Sequence, residues 1–305
     1  MEFKHEPVLL KECIQALEIK KDGIYVDGTL GGAGHSEEIL KNLSENGKLI
    51  GIDRDEEALK AASKRLEKYK NVSYVHGNHE DIRQILDELN IDKVDGILLD
   101  LGVSSYQLDE RARGFSYIGD GKLDMRMDTS SGITAKDVVN TYTEEKLANI
   151  IWEYGEERFS KRIARKIIEI RRSEPIRTTK ELADIIIAAT PRIKSHIHPA
   201  TRVFQAIRIE VNNELKNVNF VLHDILDLLD KGGIISVISF HSLEDRIVKQ
   251  IFKFESQKCR CNEMICKCPP PRIELVNRKP IMACEKEIME NPPSRSAKLR
   301  VVRAI

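Results

Sequence analysis

The sequence predicts an α/β protein: a sheet with helices on both faces, interrupted by a helical insertion. Three observations predict it. Short apolar runs alternate with helical patterns up to Leu101, the signature of βαβ units. Some runs, such as Val94 to Leu101, are nearly all apolar, as strands buried on both faces must be. The alternation vanishes after Asp109 and resumes near Thr201.

The elements follow in order. Gly23 to Val26 with Asp27 reads as a strand, Ser36 to Leu43 as a helix capped by its serine, and Lys48 to Asp53 as a second strand. Glu56 to Tyr69 places Ala58, Leu59, Ala62, Leu66 and Tyr69 on one helical face; Val72 to His76 is strand-like and Asp81 to Leu89 helical. Arg111 to Gly132 is a glycine-punctuated loop, and short helices are expected over Ala135 to Thr141, Glu144 to Tyr154, Arg158 to Arg172 and Lys180 to Ala189. The last of these is opened by the capping-box spacing Thr178 to Glu181. A long helical stretch, Arg202 to Leu229, should break near Asn217. Lys231-Gly232-Gly233 turns into a strand over Ile234 to Phe240, Ser242 opens a helix running to about Phe254, and Glu274 to Asn277 and Leu299 to Ala304 complete seven strands. The expected division is a sheet domain of residues 1–109 and 200–305 around a helical substrate-recognition domain of 110–199.

Composition bounds the function. With 49 basic and 49 acidic residues among 305, a nucleic-acid ligand must be held by a local basic patch rather than by net charge. Apolar residues at 41% and charged residues at 32% describe a globular chain with a charged surface, which argues against extensive disorder. The start lacks a basic segment followed by an apolar signal core, and no run spans a bilayer, so a cytoplasmic protein without membrane association is expected.

The chemistry begins at Asp27-Gly28-Thr29-Leu30-Gly31-Gly32-Ala33-Gly34-His35. A glycine-dense turn between strand and helix lets backbone approach a nucleoside cofactor, and a carboxylate roughly 20 residues later can hold its ribose. Asp53 is that carboxylate. The glycine spacing departs from G-x-G-x-x-G, which favours S-adenosylmethionine over a nicotinamide cofactor. Two competing readings are a nicotinamide-dependent oxidoreductase and a ribosome-assembly factor that binds RNA without catalysis.

Further stretches make the comparison specific: His5 to Leu10, Leu98 to Ser105, Arg113 to Ser116, Leu123 to Asp128, Thr201 to Arg208, Ser239 to Arg246 and Ser294 to Arg300. With the glycine turn they resemble, nearly end to end, the ribosomal RNA small subunit methyltransferase H family. The resemblance implies a class I S-adenosylmethionine-dependent methyltransferase fold, Rossmann-like with a seven-stranded mixed sheet and an inserted all-helical domain. It implies methyl transfer to the 4-amino group of a cytidine in the decoding region of small-subunit (16S) ribosomal RNA. The partner is then that RNA or the small ribosomal subunit, with homodimerisation left open. Cofactor positions carry over to Ala33, Gly34 and His35 in the turn, Asp53 at the ribose, His79 beside the adenine, and Asp100 and Gln107 near the methionine end. At His79 the family often has an aromatic such as phenylalanine.

Methylating an exocyclic amine requires a hydrogen-bond acceptor for a nitrogen that becomes tetrahedral, held in line with the methyl. Asp100, at the carboxyl end of the fourth strand, is the first candidate, and His241, after the fifth, is the second. Other amino-methyltransferases place two prolines and an aromatic after the acidic or amide residue; here the chain runs Asp100-Leu101-Gly102-Val103, with Tyr106 the nearest aromatic. Asn291-Pro292-Pro293-Ser294 matches that motif in letters only and reads as a turn. For substrate, Arg162 and Arg165 belong to a basic stripe with Arg158, Lys161 and Lys166, opposite Phe159, Ile163, Ile167 and Ile170. Asp124 and Arg126 are candidates for shaping a pocket for an unstacked base. Cys259, Cys261, Cys266 and Cys268 form two pairs with one intervening residue where zinc knuckles have two or more, so free thiols and no metal are expected.

Overall fold

The computed structural model describes residues 7–104, 107–108, 110–191, 198–261 and 267–305. His5, Glu6, Ser105, Tyr106, Asp109 and Cys266 lie outside these described residues. The chain divides into two compact units, Met1–Gly102 with Leu215–Ile305, and Val103–Glu214.

The first unit is built on seven strands: β1 (Ile24–Asp27), β2 (Lys48–Asp53), β3 (Val72–His76), β4 (Val94–Asp100), β5 (Leu229–Ser239), β6 (Ile273–Leu275) and β7 (Lys298–Ala304). Their order is β3-β2-β1-β4-β5-β7-β6. The pairs joining β1 to β5 are parallel, whereas β7 runs antiparallel to both β5 and β6. This is a Rossmann-like, seven-stranded mixed sheet, the architecture that the family resemblance implies. The order reverses between β1 and β4, and ligands of open α/β sheets bind outside the carboxyl ends of such neighbours.

Side-chain alternation along the strands builds two cores. Val26, Ile50, Ile52, Ile97, Leu99 and Val237 pack on one face with helices α4 (Ile82–Glu88), α10 (Glu214–Asp224) and α11 (Ser242–Glu255). Tyr25, Leu49, Leu98, Ile234 and Leu299 pack on the other with α1 (Leu10–Leu17), α2 (Gly34–Asn42) and α3 (Glu56–Arg65). Burial on both faces explains the unbroken apolar runs.

The second unit contains α5 (Ala135–Thr141), α6 (Glu144–Glu153), α7 (Ser160–Arg171), α8 (Thr179–Ala189) and α9 (Pro199–Asn212). It is wider than the expected 110–199 at both ends. Val203, Phe204 and Ile207 of α9 join its core, and Val103 packs against that core. No helix among the described residues is long and apolar enough to cross a membrane.

Several boundaries differ from the sequence expectation. Ser36 is not the α2 cap; Ala33 takes that place in the left-handed conformation, φ 57°, and the Ser36 hydroxyl instead donates to Asp27 Oδ2 at 2.7 Å. Helix α3 stops at Arg65, with Leu66 and Tyr69 beyond it. The long helix breaks at Asn213, φ 51°, rather than Asn217, since asparagine tolerates the left-handed turn that separates α9 from α10. Strand β5 begins at Leu229, so Gly232 and Gly233 lie within it.

Candidate active site

The turn from β1 to α2 is held by backbone groups that side chains rarely replace. Gly28 N–H donates to Leu98 O at 2.9 Å, Leu30 N–H to Ile52 O at 3.0 Å, and Gly31 N–H to Asp53 Oδ2 at 2.8 Å. Its glycines serve different ends. A Cβ at Gly28 would stand 2.6 Å from Leu99 Cδ2 and one at Gly34 2.1 Å from Pro7 Cγ, so close packing requires both. At Gly32 a Cβ would meet nothing within 4 Å, so the turn there faces open space that a ligand can approach.

Asp27 anchors the turn from beneath. Fully buried, it accepts from Thr29 N–H at 3.1 Å and from Ser36 Oγ at 2.7 Å. Burial raises its carboxyl to about 6 despite those hydrogen bonds. Sequence reading gave this residue no role of its own, although an acid ending a buried strand is a signal of one.

Asp53 ends β2 and divides its oxygens: Oδ2 receives Gly31 N–H from the turn, and Oδ1 receives Asp55 N–H from its own loop at 2.9 Å. Each carboxylate oxygen retains a second lone pair, the capacity that ribose hydroxyls need. Burial raises its carboxyl above the ordinary value. His79 opens the short 3-10 turn after β3, and its Cβ lies 3.4 Å from where a Cβ on Gly28 would stand. Its Nε2 is buried without a hydrogen-bond partner, and burial, then the Arg54 charge, push the ring down to about 3. His79 is therefore a neutral, flat, half-buried ring at the edge of the turn.

Asp100 closes β4. Its backbone N–H donates to Thr29 Oγ1 at 2.6 Å, which ties the strand end to the glycine turn. Oδ2 lies 3.8 Å from His35 Nδ1, while Oδ1 is buried with no partner. Burial, then the negative charges of Asp27 and Glu244, push the carboxyl up to about 8. His35 itself is buried, its Nε2 3.0 Å from Val8 O. Thus Ala33, Gly34, His35, Asp53, His79 and Asp100 all belong to the sheet unit, around the β1 and β4 strand ends. Gln107 belongs to the helical unit, where its Oε1 accepts from Ser104 N–H at 3.1 Å.

His241 shares one feature with Asp100, a buried atom without a hydrogen-bond partner, its Nε2, which lies 3.0 Å from Glu244 Oε1. It is the N-cap of α11 in a capping box: its Nδ1 accepts from Glu244 N–H at 3.4 Å, and Glu244 Oε2 accepts from Phe240 N–H at 2.9 Å and His241 N–H at 3.3 Å. Local capping accounts for the Nδ1 side of this histidine, and His241 stays second to Asp100 as the candidate acceptor. Asp245 in the same motif holds Arg300 Nε at 2.7 Å and Lys298 Nζ at 3.2 Å, so the Ser239 to Arg246 and Ser294 to Arg300 stretches meet through an ion-pair cluster.

In the helical unit Asp124 and Arg126 grip each other, Nε to Oδ1 and Nη2 to Oδ2 both at 2.9 Å. Between them Met125 is fully buried at φ 60°, an uncommon conformation for a long side chain, with its carbonyl receiving Asn212 Nδ2 at 2.8 Å. The basic stripe is on α7 and just before it, with one correction: Ile170 is 36% exposed, and Ala164 takes its place on the buried face with Ile163 and Ile167. Arg165 pairs with Glu144 at 3.4 Å and Lys166 with Glu169 at 2.9 Å, whereas Arg158, Lys161 and Arg162 line a groove of about 530 Å³. Trp152, the only tryptophan, is 58% exposed on the same groove, beside Phe159. Sequence reading passed over Trp152, although a lone tryptophan on an otherwise polar helix face was the available signal.

The sheet-unit site fits a nucleoside-bearing sulfonium: open backbone at Gly32, an acceptor at Asp53, a neutral ring at His79 and a buried oxygen on Asp100 awaiting a partner. The chain's cofactor is S-adenosylmethionine. Over the whole of both chains it is 56% identical, across 309 aligned residues, to the ribosomal RNA small subunit methyltransferase H of Clostridium botulinum (strain Kyoto / Type A2). It is 52% identical, across 312 residues and again the whole of both chains, to the protein of that name from Clostridioides difficile (strain 630). Residues 2–305 match the family model described as the MraW methylase family, and with that match spanning the glycine turn, both strand ends and the helical unit, this chain belongs to the MraW methylase family.

Proposed function

We propose that this methylase modifies the 4-amino group of a cytidine in the decoding region of small-subunit ribosomal RNA. The observation that carries the reading is the unpartnered, buried Asp100 Oδ1 at the carboxyl end of β4. When bound, S-adenosylmethionine supplies an electrophilic methyl on sulfur. Asp53 and His79 then hold the adenosine, and Ala33, Gly34 and His35 shape the turn against it. Gln107 is assigned to the methionine end on the family resemblance. Asp100 Oδ1 would accept the amine N–H as the nitrogen lone pair takes the methyl and the methyl–sulfur bond breaks to leave a neutral thioether, so the amine proton has a place to go. The names of the relatives support small-subunit ribosomal RNA as the substrate.

The helical unit is the substrate side of this reading. Arg158, Lys161 and Arg162 offer phosphate contacts around Trp152, whose exposed ring can stack an unpaired base. Arg165 adds charge at the margin, and the Asp124–Arg126 pair braces the loop over Leu123 to Asp128. The test supplies labelled methyl donor and small subunits lacking the modification, with Asp53→Ala as the control. One methyl on a cytidine amino group in the decoding region is the expected product. Label on another base, or none in a protein that binds the donor, overturns the reading.

A further inference from the structure

The segment joining α11 to β6 carries a second constellation. Among the described residues, the Sγ atoms of Cys259, Cys261 and Cys268 all lie within 4.8 Å of one another, with Cys259 and Cys261 3.9 Å apart. Sulfurs that share a tetrahedral zinc at about 2.3 Å are separated by about 3.8 Å, so the spacing matches an edge of that polyhedron. A disulfide would draw two sulfurs to about 2 Å and leave the third aside; here three converge. Arg260 N–H donates to Cys268 Sγ at 3.2 Å, a contact that favours the thiolate form a metal requires.

We propose that Cys259, Cys261 and Cys268 bind a zinc ion that ties residues 256–261 to residues 267–272. The need for a staple is visible in burial: none of the side chains in 256–261 and 267–272 is buried, so these two stretches have no core of their own. Its other anchors are ionic. Arg260 Nη1 and Arg272 Nε reach Glu255 Oε2 at 3.3 and 3.1 Å, and Arg272 immediately precedes β6, the edge strand of the sheet. Three thiolates leave the metal a net charge of minus one, with Lys258, Arg260 and Lys267 flanking them in sequence. A fourth position remains for water or another ligand. The one-residue spacing of Cys259 and Cys261 is accommodated because Cys268 closes back on them.

Full-length protein purified under reductant with no added metal tests this by elemental analysis. About one zinc per chain is expected, released by a mercurial, and replaced by cobalt with a thiolate charge-transfer band. Cys259→Ser and Cys268→Ser each abolish the cobalt band, while Cys284→Ser, an exposed cysteine outside the cluster, keeps it. Wild-type protein that carries no zinc and gives no charge-transfer band with cobalt overturns the proposal. So does a Cys259–Cys261 disulfide persisting under reductant.

Discussion

The β4 strand end and the groove on α7 hold their polar groups in opposite ways. At the strand end the functional atoms are few, sheltered and short of partners: Asp100 Oδ1 and His79 Nε2 are buried with no hydrogen bond, and both groups are displaced far from their ordinary titration ranges. Along the groove the charges are exposed, and Trp152 stands open between them. A small cofactor and a single reacting amine are recognised by a few desolvated contacts, each costly to leave unmade. A polyanion is held by many solvated ones, each weak and sensitive to salt. On the proposed function the contrast is that between a chemical site and a docking surface, and variants in the two should fail differently.

The largest effect is expected at Asp100. Asp100→Asn should slow methyl transfer by roughly 100- to 1000-fold at saturating donor, the range for removing one transition-state acceptor or donor. The pH dependence follows from the raised carboxyl. The acceptor must be ionised, so the wild-type rate should climb as pH rises through about 8 and then level, whereas the variant's residual rate should be flat. Stability moves the other way. A carboxyl at about 8 in the fold and near 4 when unfolded holds its proton in the native state alone, so wild-type stability is lost as pH rises across that window. Asp100→Asn should melt higher than wild type, the gap widening from acid to pH 8. A rate profile unchanged by the substitution would remove Asp100 from the chemistry.

Asp53→Ala should weaken donor binding by about 100-fold, corresponding to two charge-assisted hydrogen bonds lost. Calorimetry reads this directly, and affinity equal to wild type would move the ribose elsewhere. Next in size is the groove. Arg158→Ala with Arg162→Ala should weaken binding to small-subunit RNA by about 10-fold at low salt, and the slope of log affinity against log salt should fall by roughly 2. Trp152→Ala should weaken binding without changing that slope, because stacking releases no counterions. Donor affinity should be untouched in both variants.

What the sequence made legible follows the same contrast. Strands buried on both faces are written as unbroken apolar runs, and the glycine turn is written in residues that only packing or ligand approach can require, so seven strands and the Asp53 end could be read directly. Features made by side-chain partnership could not. Ser36 reads as a helix cap until Asp27 is found beneath it to take its hydroxyl. Asn213, not Asn217, breaks the long helix because one residue adopts the left-handed conformation, and asparagines on both sides of the kink give the same local signal. Ile170 falls on the apolar face of an ideal helix but reaches solvent at the helix end. His241 and Asp100 both stand at strand ends and both bury a titratable atom without a hydrogen-bond partner; only the capping bond at His241 Nδ1 sets the two apart.

That last pair yields the smallest prediction. His241→Ala removes the acceptor for Glu244 N–H and should cost about 1 kcal/mol, the usual price of a lost N-cap, read as a melting temperature lower by roughly 2–4 °C. His241→Asn restores a capping acceptor with no titratable group and should recover most of that loss. If His241 only caps α11, the asparagine variant transfers methyl at the wild-type rate across the pH range. A fall of about 100-fold or more in that variant, with its melting temperature preserved, would show that the ring acts on the substrate, and the distinction between the β4 and β5 strand ends would dissolve.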